Sequence, residues 1–386
     1  MQISVASRLQ HTEEYYFSKK LREIEMMNKA GANVINLGIG SPDLPPHASV
    51  VAALSEHAQL PNTHAYMGYK GVPALRQAIA DWYQKFYDVQ LDPETEVLPL
   101  IGSKEGIMHI CMTFLEKGDQ ALIPDPGYPT YHSAVQLSGA TPVTYKLSAD
   151  NNWEPDLAAL AKTDLSKVKL MWVNYPHMPT GAQATPGFFE KLIAFAKAHN
   201  ILLCHDNPYS FILNDQPKSL LSVPGAREVV LELNSLSKSS NMAGWRVGML
   251  AGKAEWIADV LRFKSNMDSG MFQPVQMAAV KALELGKEWY DELNKIYRGR
   301  RTKVFELLDL IGAKYDTNQV GMFVWAQIPA GYADGYAVSD EVLQKAKVFI
   351  TPGGIFGENG KGYIRVSLCK GEKVFSEAIE RIKASK

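Results

Sequence analysis

The stretch from Val229 to Gly248, VVLELNSLSKSSNMAGWRVG, falls into two parts. Val229 to Leu233 is an apolar run of strand type, and Ser235 to Gly248 is a hydroxyl-dense turn with one lysine, Lys238, and one arginine, Arg246. The same join of strand to polar turn recurs upstream. Val97 to Ile101 leads into Gly102-Ser103-Lys104, and Gln120 to Pro124 into Asp125-Pro126-Gly127-Tyr128. Leu170 to Val173 leads into Asn174, and Ile201 to Cys204 through His205 into Asp206. Apolar residues at helical spacing lie between these runs: Leu75, Ile79, Trp82 and Phe86 after Gly71-Val72-Pro73, then Thr185 to His199 and Gln273 to Leu285. Alternating strand and helix predicts an α/β three-layer sandwich, with helices on both faces of a mostly parallel sheet. Ligands bind such a sheet outside the carboxyl ends of its strands, so the five turns are expected to converge on one crevice.

Beyond about residue 286 the pattern changes to a long helical stretch through Leu310, strands at Gly321 to Gln327 and Tyr363 to Ser367, and a closing helix. This reads as a smaller α+β domain. The expected division is a large domain over 48–285 and a discontinuous small domain from 1–47 and 286–386. No internal repeat and no Ser- or Pro-rich linker separates them.

Composition removes several function classes. Forty Lys and Arg stand against 41 Asp and Glu, a formal net charge of −1, so neither a basic nucleic-acid binder nor an acidic tail is indicated. With 46% apolar and 21% charged residues the chain is an ordinary globular one. Cys111, Cys204 and Cys369 sit singly, without the spacing of a disulfide framework or zinc site, and no metal is expected. The first residues, MQISVASRLQHTEEYYF, lack the basic flank and apolar core of a secretory signal. The charge-free run from Pro126 to Tyr145 is broken by proline and glycine and cannot span a bilayer. A cytoplasmic protein without membrane or nucleic-acid partners is expected.

The turns carry a specific chemistry. A lysine amine forms a Schiff base with a carbonyl, while serines and an arginine fork suit a phosphate dianion. Gly102-Ser103-Lys104-Glu105 opens a helix whose free N–H groups favour phosphate. Asp206 is placed to pair with a protonated ring nitrogen, Tyr209 to donate to a phenolic oxygen, and Tyr128 to stack on a ring. This set fits pyridoxal 5'-phosphate. Each residue also has a plainer reading. Lys238 alone could be a surface lysine, Ser103 and Lys104 a helix cap, and Tyr66 a core tyrosine. Arg365 within an apolar strand needs either a structural salt bridge or a ligand carboxylate. The pair His205-Asp206 lacks a third metal ligand at suitable spacing.

Ser235 to Gly248 resembles the lysine-attachment signature of the class I/II aminotransferases of the aspartate aminotransferase fold, fold type I among pyridoxal-phosphate enzymes. The likeness spans nearly the whole chain. Leu37-Gly38-Ile39-Gly40-Ser41-Pro42-Asp43 resembles the N-terminal substrate segment. Tyr66 with Gly71, Pro73, Leu75 and Arg76 resembles the segment whose tyrosine reaches a neighbouring subunit's phosphate. Phe356-Gly357 and Tyr363-Ile364-Arg365-Val366-Ser367 resemble the block that grips the substrate α-carboxylate. The resemblance implies a homodimeric transaminase working by a ping-pong scheme through a Schiff base on Lys238, the general acid/base. Asp206 would keep the pyridine nitrogen protonated, Tyr209 and Asn174 would lie near the phenolic oxygen, and Tyr128 would stack on the ring. Gly102, Ser103, Lys104 through its backbone, Ser235, Ser237 and Arg246 would hold the phosphate, with Tyr66 of a partner. Arg365, Gly38 and Ile39 would bind the amino acid or 2-oxo acid. A β-lyase on the same scaffold is the alternative.

One position departs from the pattern. Where the family reads Asn-Pro-Thr-Gly, this chain has Met178-Pro179-Thr180-Gly181, and methionine cannot donate to the phenolic oxygen. Asn174 or His177 could replace that donor, Tyr209 could act alone, or the enzyme could be specialised; the intact remainder favours Tyr209 alone. Gly102 to Ile107, with Asp268 to Gln273, resembles the branch of alanine, aspartate and LL-diaminopimelate aminotransferases. Met271 and Phe272, if they line the pocket, would favour a small neutral or apolar substrate side chain, whereas a lysine from elsewhere could recognise a second carboxylate.

Overall fold

The computed structural model describes residues 3–9, 14 and 16–386. Its centre is a seven-stranded sheet. The strands are β1 (Val97–Leu100), β2 (Gln120–Asp125), β3 (Thr141–Lys146), β4 (Val168–Val173), β5 (Leu202–Asp206), β6 (Val230–Ser235) and β7 (Gly248–Gly252). Their spatial order is β1-β7-β6-β5-β4-β2-β3, with β7 antiparallel to both neighbours and the other pairs parallel. The runs read as strands from the sequence are all present. Asp206 and Ser235 prove to be the last residues of their strands rather than the first of the turns.

Alternation along each strand sorts side chains into two cores. Leu98, Leu100, Leu170, Trp172, Cys204 and Leu231 face one layer, packed under helices Ser103–Phe114, Pro129–Leu137 and Ala254–Lys264. Val97, Met171, Val173, Leu203 and Val230 face the other, under Pro73–Tyr87, Phe188–His199 and Gln273–Glu284. Each fully buried leucine or isoleucine here contributes roughly 2 kcal/mol of transfer free energy. The three cysteines are buried and free.

The remaining chain forms a four-stranded antiparallel sheet: β8 (Lys314–Tyr315), β9 (Phe323–Gln327), β10 (Thr351–Pro352) and β11 (Tyr363–Ser367), in the order β10-β11-β9-β8. Helices Lys287–Ile311, Gly335–Ala346 and Glu372–Ala384 pack with it, and Ile35–Asn36 pairs in parallel with Val348–Phe349. The N-terminal segment therefore threads into the same core as the chain's last hundred residues, bringing Gly38 and Gly40 beside Arg365 and Lys238. Among the described residues no helix is long and apolar enough to cross a membrane.

Candidate active site

The strand ends open on a cavity of about 350 Å³ between the two sheets. Ser103, Lys104, Tyr128, Asn174, Asp206, Tyr209, Ser235, Ser237, Lys238 and Arg246 line it from the large sheet, and Ile39 and Arg365 from the N-terminal segment and β11. Thus nearly every site residue expected from the sequence is brought to one place. Gly38 enters through its carbonyl, which accepts a 2.9 Å hydrogen bond from Arg365 Nη2. Gly102 stands behind the phosphate turn. Its φ of +89° favours glycine, and a Cβ there would overlap the Arg246 guanidinium.

Asp206 is 5% exposed, and its Oδ2 accepts 2.8 Å from the Tyr131 hydroxyl, whose ring stacks on Trp172. Burial pushes the carboxyl up to about 6, against the pull of the Tyr131 hydrogen bond and of positive charge at His205 and Lys238. Its Oδ1 is buried without a partner among the described residues. A buried, half-satisfied carboxylate facing a cavity is what a protonated ring nitrogen requires. Lys238, one turn beyond β6, donates 2.6 Å to the Gly40 carbonyl. Burial lowers its ammonium pKa, which prepares a nucleophilic amine. The Ser235 hydroxyl caps this short helix by accepting from the Ser237 N–H. Arg246, held in the left-handed region at φ 57°, donates 2.8 Å to the Ala243 carbonyl and aims its fork at the Gly102 turn. A glycine cradle, serines and an arginine beside a helix start fit a phosphate, and the lysine and Asp206 fit the rest of pyridoxal phosphate.

Arg365 is 4% exposed, in register with Trp325 on the neighbouring strand. Its guanidinium lies 3.8 Å over the Phe323 ring and 4.7 Å from that of Phe356, with Nη1 3.3 Å from Met178 Sδ. Met178 thus occupies the cavity wall. Of the two proposed substitutes for the missing donor, Asn174 lines the cavity, its amide donating to the Asp206 carbonyl at 2.5 Å and accepting from the Met178 N–H at 2.7 Å. His177 is buried against Thr180 Oγ1 at 2.8 Å, outside the cavity lining, and burial pushes its imidazole down to about 3.

Tyr66 is 88% exposed and lies outside its own chain's cavity, which removes the reading of it as a core tyrosine. Met271 and Phe272 do not line it either; with Tyr66 and His64 they border a separate surface groove of about 370 Å³. Lys104, expected to act through its backbone, borders the cavity, and desolvation and the Arg246 charge lower its side-chain pKa. The sequence reading missed Tyr131, although its spacing of three from Tyr128 puts both on one helix face. It also missed Phe17, Gly40, Phe323 and Phe356 as lining residues, which only tertiary packing assembles.

Residues 32–382 match the family described as aminotransferase class I and II. The LL-diaminopimelate aminotransferase of Dehalococcoides mccartyi strain ATCC BAA-2266 is 41% identical over 382 residues, 98% of each chain. The substrate-bound BacF structure from Bacillus subtilis superposes with a TM-score of 0.93 at 38% identity, over 100% of this chain and 98% of that one. A Thermus thermophilus aspartate aminotransferase, at 23% identity and TM-score 0.92 over 100% of both chains, shares the fold. The chain accordingly belongs to the class I and II aminotransferases and is a pyridoxal-phosphate-dependent transaminase of fold type I.

Proposed function

We propose that this transaminase takes its amino group from a dicarboxylic amino acid, with LL-diaminopimelate as the donor or product, and works by a ping-pong scheme on Lys238. The observation that carries the substrate class is the charge count of the cavity: Lys104, Lys238, Arg246 and Arg365 against Asp206. In this reading Arg246 answers the cofactor phosphate, Arg365 the substrate α-carboxylate, and Lys238 forms the covalent link. Lys104 then meets a second carboxylate at the rim, where an anion would offset both its desolvation and its repulsion from Arg246. The name of the curated relative supports the same choice. Met271 and Phe272 border the Tyr66 groove rather than this chain's own cavity, so an apolar preference drawn from them would act only through a second copy of the chain.

When bound, pyridoxal phosphate supplies a sink for the electron pair left when the substrate α-proton departs. The chain's own residues do the rest. Lys238 Nζ, its pKa lowered by burial, receives and returns that proton. Asp206 Oδ1, buried without a partner among the described residues, would accept from the ring nitrogen, while Tyr131 fixes the carboxylate's other oxygen. Arg365 orients the α-carboxylate by its fork, with the rings of Phe323 and Phe356 excluding water around it. Tyr209 lines the same cavity and would donate to the phenolic oxygen. The exposed Tyr66 groove suits a second copy of the chain, and the division at about residues 48 and 286 into cofactor and small domains is part of the same reading.

Single-turnover mixing of cofactor-loaded enzyme with one amino acid at a time, without oxo acid, tests this. LL-diaminopimelate, glutamate or aspartate should bleach the visible absorbance at least about tenfold faster than alanine or leucine, a difference of about 1.4 kcal/mol. Faster reaction with apolar donors would overturn the dicarboxylate assignment. Stoichiometric ammonia from a β-substituted amino acid would favour the β-lyase reading instead.

A further inference from the structure

His205 precedes Asp206 on β5, so its side chain leaves the sheet on the opposite face, away from the cavity. It is fully buried, and both ring nitrogens meet acceptors. Nε2 lies 3.0 Å from the Tyr175 carbonyl, which can only accept. Nδ1 lies 2.8 Å from Oε2 of Glu232, its register partner on β6, itself fully buried. That carboxylate is surrounded by donors: the Leu220 N–H at 2.9 Å and the Ser219 hydroxyl at 2.9 Å from each oxygen. The Ser219 hydroxyl already accepts from the Leu221 N–H, so its proton points to Glu232. Other groups facing the pair are the phenols of Tyr83 and Tyr87 and the Phe189 ring. Donors on its other sides suit an ionised Glu232, and with Glu232 ionised Nδ1 carries the proton of their contact.

We infer that His205 carries a proton on each ring nitrogen, one toward Tyr175 and one toward Glu232, and that it is a positioning residue for Asp206. The pair ties together the three strands whose ends build the ring site: Tyr175 follows β4, His205 lies in β5, and Glu232 lies in β6, three residues before Ser235. Its charge, one residue from Asp206, favours the ionised carboxylate that a protonated ring nitrogen needs, against the cost of burial. Asn174 reinforces the link from the other face by donating to the Asp206 carbonyl.

Full-length protein labelled with 15N in its histidine imidazoles tests this at pH 8.5, where ordinary histidines are neutral. The resonance lost in His205→Gln should carry two N–H protons in both cofactor-free and cofactor-loaded enzyme, and in Glu232→Gln it should carry one. A singly protonated His205 in the native protein at that pH overturns the proposal. The second readout is the dissociation constant for pyridoxal phosphate. Glu232→Gln should raise it about tenfold, the equivalent of one unit in Asp206, whereas Ser219→Ala, which keeps both charges, should change it less than about twofold. A Glu232→Gln protein that has lost the second imidazole proton yet binds cofactor normally overturns the role toward Asp206.

Discussion

Arg365 and Met178 meet on one wall of the cavity, with a guanidinium nitrogen 3.3 Å from the thioether sulfur. A sulfur so placed accepts weakly and donates nothing, so in the proposed reading Tyr209 would be the side-chain donor to the cofactor's phenolic oxygen. Met178→Asn adds an amide donor at that oxygen and competes with the neighbouring protonated nitrogen for it. The pH titration of the visible absorbance of cofactor-loaded enzyme should then move down by about one unit. An unchanged titration would mean that residue 178 does not reach the oxygen.

Asp206 gives cofactor-free protein a characteristic pH response. Its carboxyl is raised to about 6, so between about pH 4 and 6 the folded chain binds more protons than the unfolded one. Stability therefore falls through that window as pH rises, and above it the buried anion costs about 3 kcal/mol. Asp206→Asn should stabilise cofactor-free protein by up to about that amount at pH 8 in urea unfolding, with the gain disappearing near pH 4. The same variant should lose affinity for pyridoxal phosphate.

Gly102→Ala separates cradle from scaffold. With φ +89° and ψ 152° Gly102 sits in a region essentially confined to glycine, so an alanine costs about 1–3 kcal/mol, and its methyl group displaces the Arg246 fork. Thermal unfolding of cofactor-free protein should shift by only a few degrees, while the dissociation constant for pyridoxal phosphate rises more than about tenfold.

Much of this site was legible because chemistry-bearing residues fall at the carboxyl ends of apolar runs, and a parallel sheet aligns those ends. Lys238, Asp206, Ser103 and Asn174 follow from that rule alone. Two strands escaped it. Thr141–Lys146 is the sheet edge, with only Tyr145 fully buried, and Gly248–Gly252 is a glycine-bounded antiparallel strand whose composition resembles a turn. The helix Gly335–Ala346 was missed as well. Phe17, Phe323 and Phe356 reach the cavity through contacts between distant segments, which no local pattern encodes. The exposure of Tyr66 and the distance of Met271 and Phe272 from the cavity are likewise tertiary facts.

The assignment of a dicarboxylic donor rests most directly on Lys104. Single-turnover rate constants for LL-diaminopimelate and L-alanine, measured as a function of concentration on native enzyme and on Lys104→Met, isolate its role. Loss of a charge-assisted contact to the second carboxylate should lower the second-order rate constant for LL-diaminopimelate by about ten- to a hundredfold and leave that for alanine within about threefold. An equal fall for both substrates would place Lys104 in the phosphate site alone, and no fall for either would contradict the account.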